Sequence, residues 1–306
     1  SGSNFSTFSN IVSGQTISVT GSGTVSSANV GTGKNVTSVN LALANGSGSA
    51  SNYSINSLTA EITGKPVTIS GSRLYDSTTT ASSSILTVTS GVSGESLSLT
   101  GSGVLGAASA GTQTITNNNT LAIADGSGGL ASNYTLSGAT INVTIIPRTL
   151  NVTLSREYDG TTSVSGASLT PTFDSLQGGE TLALSGTGSV STANVGSSKA
   201  VSLGSIALVA GSGNPSNYSL NSATMNVTQR VINLDGIRAY DATTNVLSSD
   251  INTFGNIVSG ETLTISGTGS VGTNSVAMNK AITIGSLSLG NGSGSVSYTH
   301  LRAHET

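Results

Sequence analysis

Cysteine is absent from the chain. That excludes disulfide staples and thiolate metal sites, and it suits a polypeptide exported unfolded across membranes, where stray thiols are a liability. Charge is scarce as well: 8% of the 306 residues are charged, against about 25% in ordinary globular chains. The surface must therefore be covered by hydroxyls and amides. With 10 Lys and Arg against 13 Asp and Glu, for a net charge of -3, no basic face is available to neutralise phosphates, so nucleic acid is excluded as a partner. No apolar run approaches the roughly 18 residues of a membrane-spanning helix, and no membrane insertion is expected. Aromatics amount to 4%, with no tryptophan, and there are 4 prolines.

What the chain has in abundance is Ser, Thr, Asn and 40 glycines, arranged in a long repeat. Tyr75, Tyr158 and Tyr240, each followed by Asp, are separated by 83 and 82 positions. The SNY tyrosines Tyr53, Tyr134 and Tyr218 are separated by 81 and 84. A third landmark reads SGQT, SGES, GGET and SGET, with its second glycines at Gly14, Gly94, Gly179 and Gly260. The three landmarks agree on a period of about 82 residues and nearly four copies. The expected modules are residues 1–64 (truncated at its start), 65–146, 147–229 and 230–295 (truncated at its end). The chain opens inside a repeat, so any signal peptide is expected upstream. Residues 296–306, VSYTHLRAHET, resemble the translation of a transposase-type sequencing adapter and read as non-biological. The only histidines, His300 and His304, lie there and are given no weight as a metal pair.

Within each copy, stretches such as TLALSGTG and YSLNSATMNVT alternate apolar with Ser or Thr, the period-2 signature of strands with one buried face. An apolar anchor (Phe8, Val88, Phe173 or Phe254) precedes the third landmark. Glycine and β-branched density argues against helix. Six or seven short strands in about 82 residues predict tandem antiparallel β-sandwich modules of immunoglobulin-like type, an all-β fold. The alternative is a β-solenoid, whose rungs of about 20–30 residues are not visible. Linkers at Lys65, Ile146 and Gln229 are short and apolar, which predicts a semi-rigid string.

The signature residues Tyr75–Asp76, Tyr158–Asp159–Gly160 and Tyr240–Asp241 raise the question of chemistry. A catalytic Tyr or Asp needs a base, metal or second carboxylate in reach. The only other recurring acid is Glu95, Glu180 or Glu261, and it becomes Gln15 in the first copy. The expectation is therefore structural, with no catalytic, cofactor-binding or metal residue and no enzyme activity. The tyrosines should bury their rings in their own modules, with the hydroxyl on a backbone partner. Asp should bond amides of the following turn. Ser77 and Ala242 stand where the middle copy has Gly160, which predicts a type I-like turn without positive φ. Residues 28–35, ANVGTGKN, fail the phosphate-loop pattern because Asn35 follows Lys34 and no helix follows. Lys34, Lys199 and Lys280 read as solvated strand lysines that discourage edge pairing. Asp125 has Asn45 and Ala210 as counterparts, too few oxygens for calcium.

The Tyr-Asp-Gly repeat, with the GET and SNY landmarks in a cysteine-free chain rich in Ser, Thr and Gly, resembles the YDG-domain family and the related MBG domains. The resemblance implies tandem modules of large bacterial surface proteins of the filamentous haemagglutinin and adhesin kind, secreted or displayed at the cell surface. Regular repetition, semi-rigid linkers, low charge and the lack of a catalytic constellation point to a structural stalk that projects an adhesive region. Host glycans or surface proteins would be met by regions outside this chain, and the alternative is that the repeats themselves bind glycan or protein.

Overall fold

A computed structural model describes residues 8–38, 40–293 and 298–305, the last eight by backbone alone. The side chains of His300 and His304 lie outside the described residues. Among the described residues there are strands, short 3-10 turns and no α-helix. The fold is all-β, with no solenoid rungs among the described residues. The chain divides into two compact units: residues up to Leu74 together with Thr78–Ile146, and Tyr75–Ser77 together with Pro147–Thr306.

The third repeat shows the plan. Its opening strand Arg148–Glu157 lies in a six-stranded sheet with order Ser163–Ser165, Thr187–Val190, Gly196–Ser202, Tyr218–Thr228, Arg148–Glu157, Thr172–Phe173. A two-stranded sheet, Leu182–Ser185 with Ala207–Ala210, completes the module. Alternation dictates the core: Leu150, Val152 and Leu154 are at most 2% exposed while the residues between them face water. Val152 and Leu154 pack with Leu184, Val201 and Met225. The aromatic anchors sit as expected, Phe173 opposite Val152 and Phe254 opposite Leu234.

Among the described residues strand pairings are antiparallel except one in each of the second, third and fourth repeats. The opening strand runs parallel to the closing strand, from Arg148 opposite Tyr218 to Glu157 opposite Thr228; Lys65–Leu74 with Tyr134–Ile146, and Arg230–Gly236 with Tyr298–Glu305, do the same. A parallel pair needs a long connection, and here the whole module is that connection. Each repeat is thus entered at one end and left at the other, about 30 Å away for a ten-residue strand. Tyr298–Glu305 fills the closing position through backbone bonds, which any extended segment supplies; the pairing carries no weight on the origin of these residues.

Hydroxyls take over the work that charge does elsewhere. Thr181 N–H donates to Ser212 Oγ at 2.9 Å, and Ser212 N–H donates back to Thr181 Oγ1 at 3.0 Å. Thr16 with Ser47, and Thr262 with Ser293, repeat the reciprocal clamp. The neighbouring Gly211 must lack a side chain, since a Cβ there would meet Thr181 O at 2.5 Å.

Candidate functional site: the tyrosine–glutamate joint

Each opening strand ends in an Arg-x-Tyr-Asp turn. Asp159 Oδ1 accepts the Thr161 N–H at 2.9 Å and the Thr161 hydroxyl at 3.0 Å. Asp241 holds Thr243 in the same way, both at 2.9 Å, and the Thr243 amide is the main cause holding the Asp241 carboxyl below its ordinary range. The expected Asp-to-amide bond is present. The arginine two residues before each tyrosine closes the turn from the other side. Arg156 Nη1 reaches Asp159 at 3.1 Å and the Thr161 hydroxyl at 3.1 Å; Arg238 reaches Asp241 at 2.6 Å and Thr243 O at 2.7 Å. Arg73, Arg156 and Arg238 recur in the same windows as the tyrosines, so their spacing alone would have revealed them.

The turn type differs from expectation. Ser77, Gly160 and Ala242 all have positive φ, at 62°, 77° and 64°. The position requires a left-handed residue, and the Asp and Arg bonds on either side impose it even on Ser and Ala. Gly160 is therefore the unstrained member of the three, not the dispensable letter.

The tyrosines also differ from expectation, in a way that defines the site. Tyr158 is 3% exposed, and its hydroxyl donates to Glu261 Oε1, in the fourth repeat, at 2.5 Å. The partner is a carboxylate one repeat onward, not a backbone group of its own module. Tyr75, also 3% exposed, belongs to the second unit and donates to Glu180 Oε1 at 2.5 Å. Tyr218 donates to the other oxygen of Glu180 at 2.6 Å while accepting the Gln177 N–H at 3.0 Å. The Tyr75 and Tyr218 rings meet edge to face, 5.3 Å apart at 77°. Glu180 thus clasps a Tyr-Asp tyrosine and an SNY tyrosine together. Burial, then the bond to Glu180 and its charge, pushes the Tyr75 hydroxyl up to about 12. Burial first, then Glu180, raises Tyr218, and the Glu95 bond is the main cause raising Tyr134.

The same pair recurs with variations. Tyr134 donates to Glu95, and Tyr53 donates to the Gln15 amide oxygen at 2.6 Å. Arginines at the head of the following opening strand lock the arriving chain: Arg148 Nε donates to Tyr75 O at 2.9 Å and Arg230 Nη1 to Tyr158 O at 3.3 Å. Asp76 is half-buried beside Tyr75. Tyr240, expected inside its own module, is 66% exposed; a tyrosine that serves the next repeat has nothing to enter within its own.

The remaining candidates resolve as structure. Lys199 Nζ donates to Thr192 O at 2.6 Å and to Asn194 O, and Lys280 Nζ to Thr273 O at 2.7 Å. These lysines cap loop carbonyls instead of standing solvated. Asp125 accepts the Ala131 N–H at 2.7 Å, as Asn45 accepts that of Ala50 at 2.8 Å. Among the described residues no group of three His, Asp or Glu side chains is placed to hold a metal.

A model of the YDG domain matches residues 1–64, 59–142 and 144–225 of the chain. No curated protein and no solved structure matches it.

Proposed function

Given that the chain belongs to the YDG-domain family, we propose that its repeats are a non-enzymatic stalk of a bacterial surface-exposed or secreted adhesin of the filamentous haemagglutinin kind, holding an adhesive region away from the cell. The observation that carries this reading is Tyr158 of the third repeat seated on Glu261 of the fourth at 2.5 Å. Joints of this kind, Tyr75 on Glu180 and Tyr158 on Glu261, couple neighbouring repeats, so that stability becomes a sum of repeat and neighbour terms. The tyrosines that a glycan or protein hot spot would draw on are largely spent inside: Tyr75, Tyr158, Tyr134 and Tyr218 are at most 9% exposed. Zero cysteines fit export. Small-angle scattering of the whole chain is the test: a stalk gives an elongated particle, and a compact one refutes the reading.

A further inference from the structure

We propose that the third repeat, and the second with it, is a tension clamp: a pull between the two chain ends of the repeat is taken in shear by its opening and closing strands. The third repeat lies whole within one compact unit. Its opening strand, Arg148–Glu157, and its closing strand, Tyr218–Thr228, are neighbours and parallel, in register from Arg148 opposite Tyr218 to Glu157 opposite Thr228. The chain therefore enters the ladder beside Tyr218 and leaves it beside Glu157, at the far end. Pulling on both ends draws the two strands past each other along their length. The evenly spaced bonds between parallel strands then share the load and must fail together. Antiparallel terminal strands would enter and leave at one end, and the same pull would open them bond by bond.

Packing resists the slide as well. Leu150, Val152 and Leu154 on the opening strand and Ala223, Met225 and Val227 on the closing strand are buried. A slip of one residue would turn such a set to the opposite face, so the strands cannot creep past each other in small steps. The opening strand has little else to hold it in the sheet: ten of its residues pair with the closing strand, and only Val152 and Thr153 pair with Thr172–Phe173. The exit end is stapled across the pair. Tyr158 N–H donates to Thr228 O at 2.9 Å, and the Thr228 hydroxyl donates to Arg156 O at 3.3 Å. In the second repeat Lys65–Leu74 and Tyr134–Ile146 make the same parallel pair, from Lys65 opposite Tyr134 to Leu74 opposite Ile146.

A stalk that holds an adhesive region under drag is pulled along its chain, so the biological use of the clamp rests on the stalk reading. The clamp itself rests on strand topology alone.

Because the chain has no cysteine, two thiol handles can be placed at will in the full chain and pulled with optical tweezers. Thr149→Cys with Gln229→Cys loads the third repeat in shear. Thr149→Cys with Ser216→Cys, both at the entry end of the ladder, peels it. All three positions are exposed, and the denaturant midpoints of both chains should match the parent, so that only the direction of the pull differs. Forced unfolding is governed by the unfolding rate; at equal loading rate the shear pair should rupture at a several-fold higher force than the peel pair. Equal forces, or a weaker shear pair, overturn the proposal. An elongated particle in scattering together with equal forces leaves the stalk standing and removes the clamp; a compact particle with a strong shear pair does the reverse.

Discussion

Replacing Tyr158 and Tyr240 in parallel separates a joint from a module core. The two residues occupy the same place in successive repeats, yet one is 3% and the other 66% exposed. Tyr158→Phe removes the 2.5 Å bond to Glu261; a hydrogen bond to a charged group contributes about 1.5–3 kcal/mol. Tyr158→Ala also removes a buried ring, and such truncations cost about 3–5 kcal/mol. Tyr240→Ala, at an exposed site, should stay within about 0.5 kcal/mol. Denaturant titration of the full chain, read by amide exchange repeat by repeat, provides the assay. The Tyr158→Ala chain should show residues 230–293 opening at lower denaturant than residues 147–229, where the parent opens both together. Residues 78–146 should be unchanged. If Tyr240→Ala costs as much as Tyr158→Ala, the motif serves its own repeat and the joint is refuted.

At Ala242, where φ is 64°, glycine should stabilise by about 0.5–1 kcal/mol: relief of about 1–2 kcal/mol of left-handed strain, less the added freedom of the unfolded chain. A lower melting temperature for Ala242→Gly would mean the turn is not strained. Gly160→Ala should do the opposite, since the new Cβ would also lie 2.8 Å from Val258 Cγ1. The Tyr75 hydroxyl, raised from 10.0 to about 12, contributes stability that is complete below pH 10 and is lost as pH rises through 12. Tyrosinate absorbance should therefore include a late-titrating group that moves earlier in Glu180→Gln; titration of every tyrosine near 10 would contradict the Glu180 contact. Thr181→Val and Ser212→Ala should each cost about 1 kcal/mol, and a double-mutant cycle should show them coupled because they break one clamp. Additive losses would show the two bonds to be independent.

The period, the all-β fold and the buried faces were legible because each is a local property: alternation sets the face, and Gly and Ser landmarks set the turns. The joint was not. From Tyr75 the nearest acid of the right landmark is Glu95 in the same copy, and the real partner is Glu180, 105 residues on. A repeat offers the same residue in every copy, so spacing names the partner only to within a multiple of the period. The left-handed turn was misjudged for a related reason. Ser77 and Ala242 argue against positive φ as isolated residues, but the bonds of Asp241 and Arg238 outweigh about 1–2 kcal/mol of strain. The parallel opening and closing strands carry no local mark at all, since parallel and antiparallel strands share the same alternation.

The exposed Tyr240 shows what a joint gains from being built on tyrosine. Around Tyr240, Asp241 still bonds Thr243 and Arg238 still bonds Asp241, the same turn that surrounds the docked Tyr158. The turn is complete before the tyrosine has anywhere to go, so docking spends little on ordering the backbone. Before docking, the tyrosine stands in water, and a phenol tolerates that better than Phe or Leu because its hydroxyl stays hydrated. On docking, that hydroxyl exchanges water for a glutamate, and in the case of Glu180 the receiving repeat already holds that glutamate through its own SNY tyrosine, Tyr218. The specificity lies in the acceptor: an apolar tenon would enter any greasy cleft, whereas a tyrosine hydroxyl delivered by a fixed turn is satisfied only where a carboxylate waits at the bottom.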